Sequence, residues 1–221
     1  MPQLPIDPAR SAVIVFDMLN HYLRPEHNPE HTRIIAEKGV IQHTARLVDA
    51  ARAAGMLICY TSGDHRPDGA DWIPIVTDTN MNLQPWPEGP QVMPHHSGVM
   101  SGTPGARVVD ELAPRPEDII ILKHRWSSFA GTHLDHILRS RGVDTLLLTG
   151  GSTDVGIAAT AFDARDRGYN QIFLSDCTHS ERPGAQDFFM QRLCPRMGRV
   201  MTADEAIALI ARPAAAGAAG S

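Results

Sequence analysis

The sequence predicts a three-layer α/β domain, in which a central, mostly parallel sheet of six strands lies between two layers of helices. Six short segments are continuously apolar and rich in β-branched residues, namely 12–17, 57–62, 118–123, 145–150, 171–175 and 198–201. Continuous apolar runs are typical of strands that are covered on both faces. Helical patterns lie between these segments, and strands that alternate with helices form right-handed parallel βαβ units.

Five segments between or after the strands are predicted to be helical, namely 40–54, 104–112, 132–141, 154–167 and 203–211. The first repeats apolar residues at helical spacing and ends at Gly55. We expect Thr153 to cap the helix at 154–167. Thr202 and Glu205 have the spacing of a capping box and predict the start of the last helix.

Length and composition indicate a single domain over residues 1–212, followed by a disordered tail over residues 213–221. The chain has 221 residues, of which 43% are hydrophobic, and this is enough to build a full core. The tail consists of proline, alanine, glycine and serine, so it has little side-chain surface to bury.

Charge and cysteine content favour a cytoplasmic protein that binds neither nucleic acid nor membranes. The net charge of −5 gives no basic surface for either partner. No apolar run approaches the ~20 residues of a membrane span, and the N-terminus lacks the pattern of an export signal. The three cysteines, Cys59, Cys177 and Cys194, form no zinc or redox motif, which agrees with a reducing compartment.

One long segment, 63–103, has little helical or strand pattern. It carries several residues suited to contacts, namely His65, Trp72, Trp86, His95 and His96. A loop of this length in a compact domain is usually a lid, a binding loop or a subunit contact. The alternative is a coil that the tryptophans pack over the edge of the sheet.

Two charged residues end predicted strands. Asp17 follows the apolar run of the first strand, and Lys123 ends the segment 118–123. Ligands of open α/β sheets bind outside the carboxyl ends of the strands, where a partly desolvated acid suits proton transfer. The pattern alone leaves alternatives, because Asp17 could cap a loop and the Lys123 side chain could extend to solvent.

A glycine-rich turn, Gly150-Gly151-Ser152-Thr153-Asp154-Val155-Gly156, joins the fourth strand to the helix at 154–167. Backbone N–H groups at such a turn, together with a helix N-terminus, can stabilise an anionic oxygen. A glycine-rich turn alone is weak evidence, because ordinary strand-to-helix turns have the same composition.

Taken together, three motifs resemble the isochorismatase-like hydrolase (cysteine hydrolase) superfamily. They are Asp17-Met18-Leu19-Asn20, Lys123-His124-Arg125-Trp126-Ser127-Ser128-Phe129, and the glycine-rich turn. The resemblance implies the Rossmann-like fold described above, with Asp17 as the acid/base residue and Lys123 as its partner. It also implies a cis Gly151–Ser152 peptide and backbone donors near Ser152 and Gly156 for an oxyanion. We expect substrate contacts from Tyr22, Trp86, Trp126, Phe129 and Thr153.

Most members of that superfamily have a nucleophilic cysteine at the position of Gly156, and glycine has no nucleophile. The leading interpretation is a natural member that, like isochorismatases, hydrolyses a small polar substrate by Asp17- and Lys123-assisted attack of water, without a covalent intermediate. The second is a C–N amidohydrolase of a small amide, ureide or carbamoyl compound, with its cysteine replaced. The third is an inactive relative that binds a small ligand or a partner.

The substrate branch and a substitute thiol stay open at the sequence level. Leu19 stands where isochorismatase itself has glutamine, and the residues around Lys123 and Gly168-Tyr169 look more like the amidohydrolase branch. Cys177, at the end of the fifth strand, is the only plausible replacement thiol, although a small buried apolar residue is the simpler interpretation.

We expect no cofactor and no metal. Nicotinamidase relatives bind a metal through an Asp-x-His cluster after the second strand, but the spacing of Asp64, His65, Asp68 and Asp71 departs from it. The expected partners are a small-molecule substrate and further copies of the chain. We predict a homodimer or homotetramer that forms through the segment 63–103 and the apolar helix over 154–164.

Overall fold

The computed structural model describes residues 4–26, 29–71 and 99–210. Their centre is one six-stranded sheet in the order β3-β2-β1-β4-β5-β6, and every pair of neighbouring strands is parallel. The strands are β1 (Ser11–Phe16), β2 (Leu57–Gly63), β3 (Ile119–Lys123), β4 (Thr145–Gly151), β5 (Asn170–His179) and β6 (Arg199–Met201). The predicted six-stranded α/β fold is therefore confirmed.

Seven α-helical segments connect or follow these strands in the described ranges. They are α1 (Asn20–Leu23), α2 (Pro29–Glu37), α3 (Val40–Ala53), α4 (Leu134–Ser140), α5 (Ala158–Asp166), α6 (Ala185–Phe188) and α7 (Ala203–Ile210). A π-helical turn, Thr153–Ile157, leads directly into α5, and a second, Phe189–Leu193, continues α6. Within the described ranges, no helix has the length and apolar character to cross a bilayer.

The strand order creates a crevice at the centre of the sheet. From β1 the chain moves outward in one direction through β2 and β3, and it returns to the other side of β1 to form β4, β5 and β6. Connections therefore leave the carboxyl ends of β1 and β4 on opposite faces of the sheet. Open α/β sheets bind their ligands at this type of switch point.

Two apolar cores cover the faces of the sheet, and successive residues of β1 alternate between them. Val13 and Val15 contribute to the core that also contains residues of α3 and α7. Ala12 and Ile14 contribute to the core that also contains residues of α4 and α5. Because both faces are covered, the central strands are buried along their length, as their continuous apolar runs predict.

The prediction of a helix over 104–112 is wrong. This segment forms two 3₁₀ turns, Pro104–Ala106 and Asp110–Leu112, with an extended stretch between them. Val108 forms an antiparallel bridge with Leu19, and the N–H of Asn20 donates to the carbonyl of Arg107 over 2.9 Å. Pairing with the chain that follows β1 therefore outweighs the local helical signal, and it braces the segment beside Asp17.

Two helix-cap predictions have different outcomes. The capping box of α7 is confirmed, because the Thr202 N–H donates to Glu205 Oε2 over 2.8 Å and the Glu205 N–H donates to Thr202 Oγ1 over 3.3 Å. The predicted Thr153 cap is wrong, because Thr153 is already the first helical residue and its hydroxyl donates to the carbonyl of His179 instead. The tail 213–221 lies outside the described residues.

Candidate active site

Asp17 and Lys123 form a buried ion pair at the carboxyl end of the sheet. Lys123 Nζ donates a hydrogen bond to Asp17 Oδ2 over 2.7 Å. The other carboxylate oxygen, Oδ1, accepts a hydrogen bond of 2.6 Å from the N–H of Gly63 at the end of β2. Asp17 is 7% exposed and Lys123 is 5% exposed. The proximity that the motifs imply is thus present, with a backbone donor that the sequence did not reveal.

The backbone of Asp17 turns out of the sheet, and this conformation directs its carboxylate toward the neighbouring strands. Its φ angle is +46°, in the left-handed region that most non-glycine residues avoid. Such a conformation costs of the order of 1–3 kcal/mol and persists only where the surroundings impose it. The Asp17 N–H donates to the carbonyl of Thr61 over 3.0 Å, and the Leu19 N–H donates to the carbonyl of Asp17 over 2.8 Å.

Phe16 lies beneath the Lys123 ammonium and against Gly156. Lys123 Nζ is 4.2 Å from the centroid of the Phe16 ring, which is the geometry of a cation–π interaction. A Cβ atom added to Gly156 would lie 2.3 Å from Cζ and 2.4 Å from Cε1 of this ring. Both residues are buried. The aromatic ring therefore occupies the space that a side chain at position 156 would need.

The glycine-rich turn has the expected backbone form, and the peptide between Gly151 and Ser152 is cis. Gly150 has a φ of +99°, and a Cβ there would lie 1.9 Å from the carbonyl oxygen of Phe16, so no other residue fits. The Ser152 carbonyl accepts from the N–H of Ile157 over 3.1 Å. The oxyanion role of backbone N–H groups near Ser152 and Gly156 stays a prediction.

Asp154 stabilises this turn from the side of β5. Its Oδ1 accepts from the hydroxyls of Ser152 and Ser180, the latter over 2.6 Å, and its Oδ2 accepts from Arg182 Nη1 over 2.9 Å. Burial would raise the pKa of the Asp154 carboxyl, but the hydrogen bonds to these hydroxyls and to the guanidinium outweigh it, and the pKa is lowered. The Asp154 carboxylate thus has a structural role, because it orients the Ser152 side chain.

A buried pair of histidines, which the sequence analysis missed, lies beside the same turn. His31 Nε2 of α2 is 2.9 Å from Nδ1 of His179, the last residue of β5. Burial, and then the neighbouring His31, lower the pKa of His179 to about 3. The imidazole lies against Gly151, where an added Cβ would be 2.3 Å from the ring. His179 lies beyond the predicted strand 171–175 and α2 was not predicted at all, so the sequence pattern gave no signal for this contact.

Tyr22 of α1 approaches the site from outside the sheet. Its side chain is partly buried. Burial, and then the negative charges of Asp17 and Glu181, raise the pKa of the phenol above its usual range. The phenol is therefore close enough to Asp17 to sense its charge, which is consistent with the predicted contact to substrate.

The other predicted substrate contacts have less support. Phe129 is 4% exposed and packs in the core, with its ring stacked on Tyr169, so its position gives no support to a substrate contact. Trp126 is 62% exposed. Thr153 is buried and holds the ends of β5 and α6 through its hydroxyl, which also contacts Gln186 Oε1 at 2.6 Å. Trp86 lies outside the described residues.

The three cysteines are buried and form no disulfide. Burial raises the pKa of Cys59 to about 12 and of Cys194 to about 12. Burial, and then the charge of Asp176, also raise the pKa of Cys177 above its usual range. Cys177 packs in the apolar core with residues of α3 and α7, which supports the interpretation of a buried apolar residue over that of a nucleophile.

A group of potential metal ligands lies next to Lys123 in the chain. The Nδ1 atoms of His65 and His124 are 3.3 Å and 3.0 Å from Asp71 Oδ2. Two imidazoles and a carboxylate are a donor set that zinc accepts. The Arg66 N–H also donates to Asp71 Oδ2, over 3.0 Å, so this oxygen has a protein partner as well. The sequence pattern gives no signal that His124 joins this group, and the absence of a metal stays a prediction.

The sheet order and the switch-point crevice define an α/β protein of the class that binds small ligands at the carboxyl ends of its strands. Residues 11–205 match the family model described as the Isochorismatase domain. The chain therefore belongs to the isochorismatase family of hydrolases.

Solved structures of other proteins have the same fold over nearly the whole chain. A cysteine hydrolase from Pseudomonas syringae pv. phaseolicola 1448A is 29% identical, with a TM-score of 0.79, and the match covers 95% of this chain and 97% of that one. An isochorismatase family protein from Desulfovibrio vulgaris is 27% identical, with a TM-score of 0.74 over 92% and 99% of the two chains. N-carbamoylsarcosine amidase from Thermoplasma acidophilum is 26% identical, with a TM-score of 0.66 over 88% and 97%.

Proposed function

We propose that this protein hydrolyses a small polar substrate by direct attack of water, assisted by Asp17 and Lys123, without a covalent intermediate. The observation that carries this proposal is the buried contact between the Asp17 carboxylate and the Lys123 ammonium. A buried ion pair is costly unless its charges are well matched and hydrogen-bonded. Both conditions are met here, and the pair lies at the carboxyl ends of the strands, which is the edge where such sheets bind ligands.

In the proposed reaction, Asp17 accepts a proton from the attacking water while the water oxygen forms a bond to the electrophilic carbon of the substrate. Asp17 then delivers this proton to the leaving atom as its bond to carbon breaks. General acid–base catalysis of this type contributes about 10²- to 10⁴-fold in rate. The Gly63 N–H holds one oxygen of Asp17, so the other is directed toward Lys123 and the substrate.

Negative charge that develops on the substrate would be stabilised by Lys123 and by backbone N–H groups near Ser152 and Gly156. Removal of one hydrogen-bond donor from an oxyanion site lowers the rate by about 10²- to 10³-fold. Asp154 holds the Ser152 side of the turn in place, and the charge of Asp17 acts on the phenol of Tyr22.

The main alternative is a C–N amidohydrolase that acts on a small amide, ureide or carbamoyl compound. Similarity to the N-carbamoylsarcosine amidase from Thermoplasma acidophilum favours it. Gly156 and the buried, poorly ionised cysteines oppose a thiol mechanism. An inactive relative that binds a ligand or partner is the third candidate, and retention of the buried Asp17–Lys123 contact opposes it.

A substrate panel compared across two variants tests the proposal. The panel contains small amides, ureides, carbamoyl compounds and enol ethers, and the variants are Asp17→Asn and the control Asp144→Asn, whose parent carboxylate pairs with Arg10 at the surface. We expect turnover of at least one class, loss of that turnover in Asp17→Asn, and normal turnover in the control. Turnover that survives in Asp17→Asn contradicts the assigned role, and a wholly inactive panel favours the ligand-binding relative.

A further inference from the structure

The contact between Phe16 and Gly156 joins the end of β1 to the first turn of the helical segment after β4. Phe16 follows Ile14 by two residues in β1, and Ile14 belongs to the core that contains residues of α5, so the Phe16 ring lies on the face of the sheet that α5 covers. The ring is 1% exposed, and its Cζ and Cε1 atoms occupy the position of a Cβ at residue 156. Cβ atoms do not approach other heavy atoms as closely as the 2.3 Å found here.

We propose that Phe16 and Gly156 are a matched pair in which the aromatic ring fills the nucleophile position, so that the site is closed to thiol catalysis by its packing and not only by a missing sulfur atom. This proposal extends the water mechanism proposed above, and it depends on that mechanism for the class of reaction. It identifies Gly156 as the native residue and restricts the reaction to direct attack by water.

Packing distinguishes a native glycine from one that has replaced a cysteine. Protein interiors are close-packed, and deletion of a buried side chain leaves a cavity because the surroundings relax only partly. In this protein no cavity remains at position 156, because the Phe16 ring of β1 fills it. The same ring lies 4.2 Å from the Lys123 ammonium, so its position is also tied to the buried ion pair.

The pairing has a direct consequence for engineering of the site. A side chain at position 156 must displace the Phe16 ring, and that ring is enclosed by the core and by Lys123. The single substitution Gly156→Cys therefore does not recreate a thiol nucleophile. Shortening Phe16 at the same time opens the space that the thiol requires.

A double-mutant cycle on stability tests the pairing without any need for turnover. Gly156→Ala inserts a methyl group into a filled space and should lower the folded-to-unfolded ratio by about 5- to 150-fold in urea denaturation. In the Phe16→Ala background the same change should lower this ratio by less than about twofold, because the ring is absent. Ile14→Ala is the matched control, since Ile14 precedes Phe16 by two residues in β1 and belongs to the core on the same face.

Thiol reactivity supplies the second measurement, read by intact mass after iodoacetamide treatment at neutral pH. The native cysteines are buried and give little background. In Phe16→Ala/Gly156→Cys we expect rapid single alkylation, and in Gly156→Cys alone either a loss of stability or alkylation at least tenfold slower. In Ile14→Ala/Gly156→Cys the thiol should behave as in the single variant.

Two results would overturn the proposal. One is a Gly156→Cys protein as stable as the wild type, with a thiol that reacts as fast as in the Phe16→Ala double variant. The other is a cycle in which Phe16→Ala and Ile14→Ala change the cost of Gly156→Ala equally. Because both measurements are independent of turnover, their failure is distinguishable from a failure of the proposed hydrolysis.

Discussion

Lys123 reaches Asp17 across the carboxyl end of β2, which lies between their two strands, and its Nζ donates a hydrogen bond of 2.7 Å to Asp17 Oδ2. The last residue of that intervening strand, Gly63, donates its N–H to the other oxygen of the same carboxylate. One carboxylate thus links the ends of three adjacent strands. The pair is therefore expected to matter for stability as well as for chemistry.

Removal of the ammonium should be costly. Lys123→Met leaves the Asp17 carboxylate buried without its cation, and we expect a loss of about 3–5 kcal/mol in the free energy of unfolding. Asp17→Asn/Lys123→Met removes both charges and should recover much of this loss. The control Arg24→Met breaks a partly exposed ion pair with Glu111 and should cost at most about 1 kcal/mol. The free energy of unfolding is measured by urea denaturation. If Lys123→Met and Arg24→Met lower it equally, the Asp17–Lys123 pair does not behave as a buried ion pair.

The fold and the Asp17–Lys123 pair are predictable from the sequence for a physical reason. Continuous apolar runs identify strands that are buried on both faces, and residues at the carboxyl ends of parallel strands meet at one edge of the sheet. The motif resemblance then indicated which charged strand ends act together. None of these signals depends on how side chains pack.

The features that were missed depend on packing or on pairing between distant segments. The contact of Phe16 with Gly156 and that of His31 with His179 join different elements, and no local pattern records them. The segment 104–112 has helix signals, but its backbone pairs with the chain after β1. Threonine is a residue type that favours helix caps, yet the helical turn begins at Thr153 itself, one residue earlier than the pattern suggests.

Alkylation of the native cysteines should leave turnover intact. Burial raises the pKa of all three thiols, so little thiolate forms at neutral pH, and none is needed for direct attack by water. Turnover after exposure to iodoacetamide under native conditions, with intact mass to count adducts, is the measurement. If alkylation abolishes turnover and Cys177→Ala reproduces the loss, Cys177 is the nucleophile and the water mechanism is wrong.

The buried His179 should make the folded state sensitive to acid. Its pKa is about 3 in the folded chain, well below the ~6.5 of an unfolded histidine, so between these values the unfolded state binds the extra proton. Stability therefore decreases as pH falls from about 6.5 toward 3, with a slope of up to about 1.4 kcal/mol per pH unit from this group.

The acid sensitivity is measured as the urea midpoint and unfolding free energy from pH 7 to pH 4. His179→Phe keeps a ring over Gly151 without a titratable group, so its stability should fall less steeply with decreasing pH than that of the wild type. His136→Gln changes an exposed histidine of α4 and is the control. Identical slopes for the wild type and His179→Phe would show that His179 does not stay neutral in the folded chain.

We also expect the chain to form a homodimer or homotetramer. The helix α5 was predicted to contribute to the contact, and the side chain of its Phe162 is 50% exposed although the helix packs its small residues against the sheet. Full burial of a phenylalanine side chain is worth about 1.5–3 kcal/mol, so burial of the exposed half of this ring contributes about half of that figure per protomer to the free energy of association. Light scattering at micromolar concentration should give the mass of a dimer or tetramer. Phe162→Asp should shift the protein toward the monomer. The control Ser140→Asp, on the exposed side of α4, should leave the oligomeric state unchanged. A monomeric wild type at this concentration, with no symmetric contact above about 1,000 Å² in a crystal, would refute the expectation.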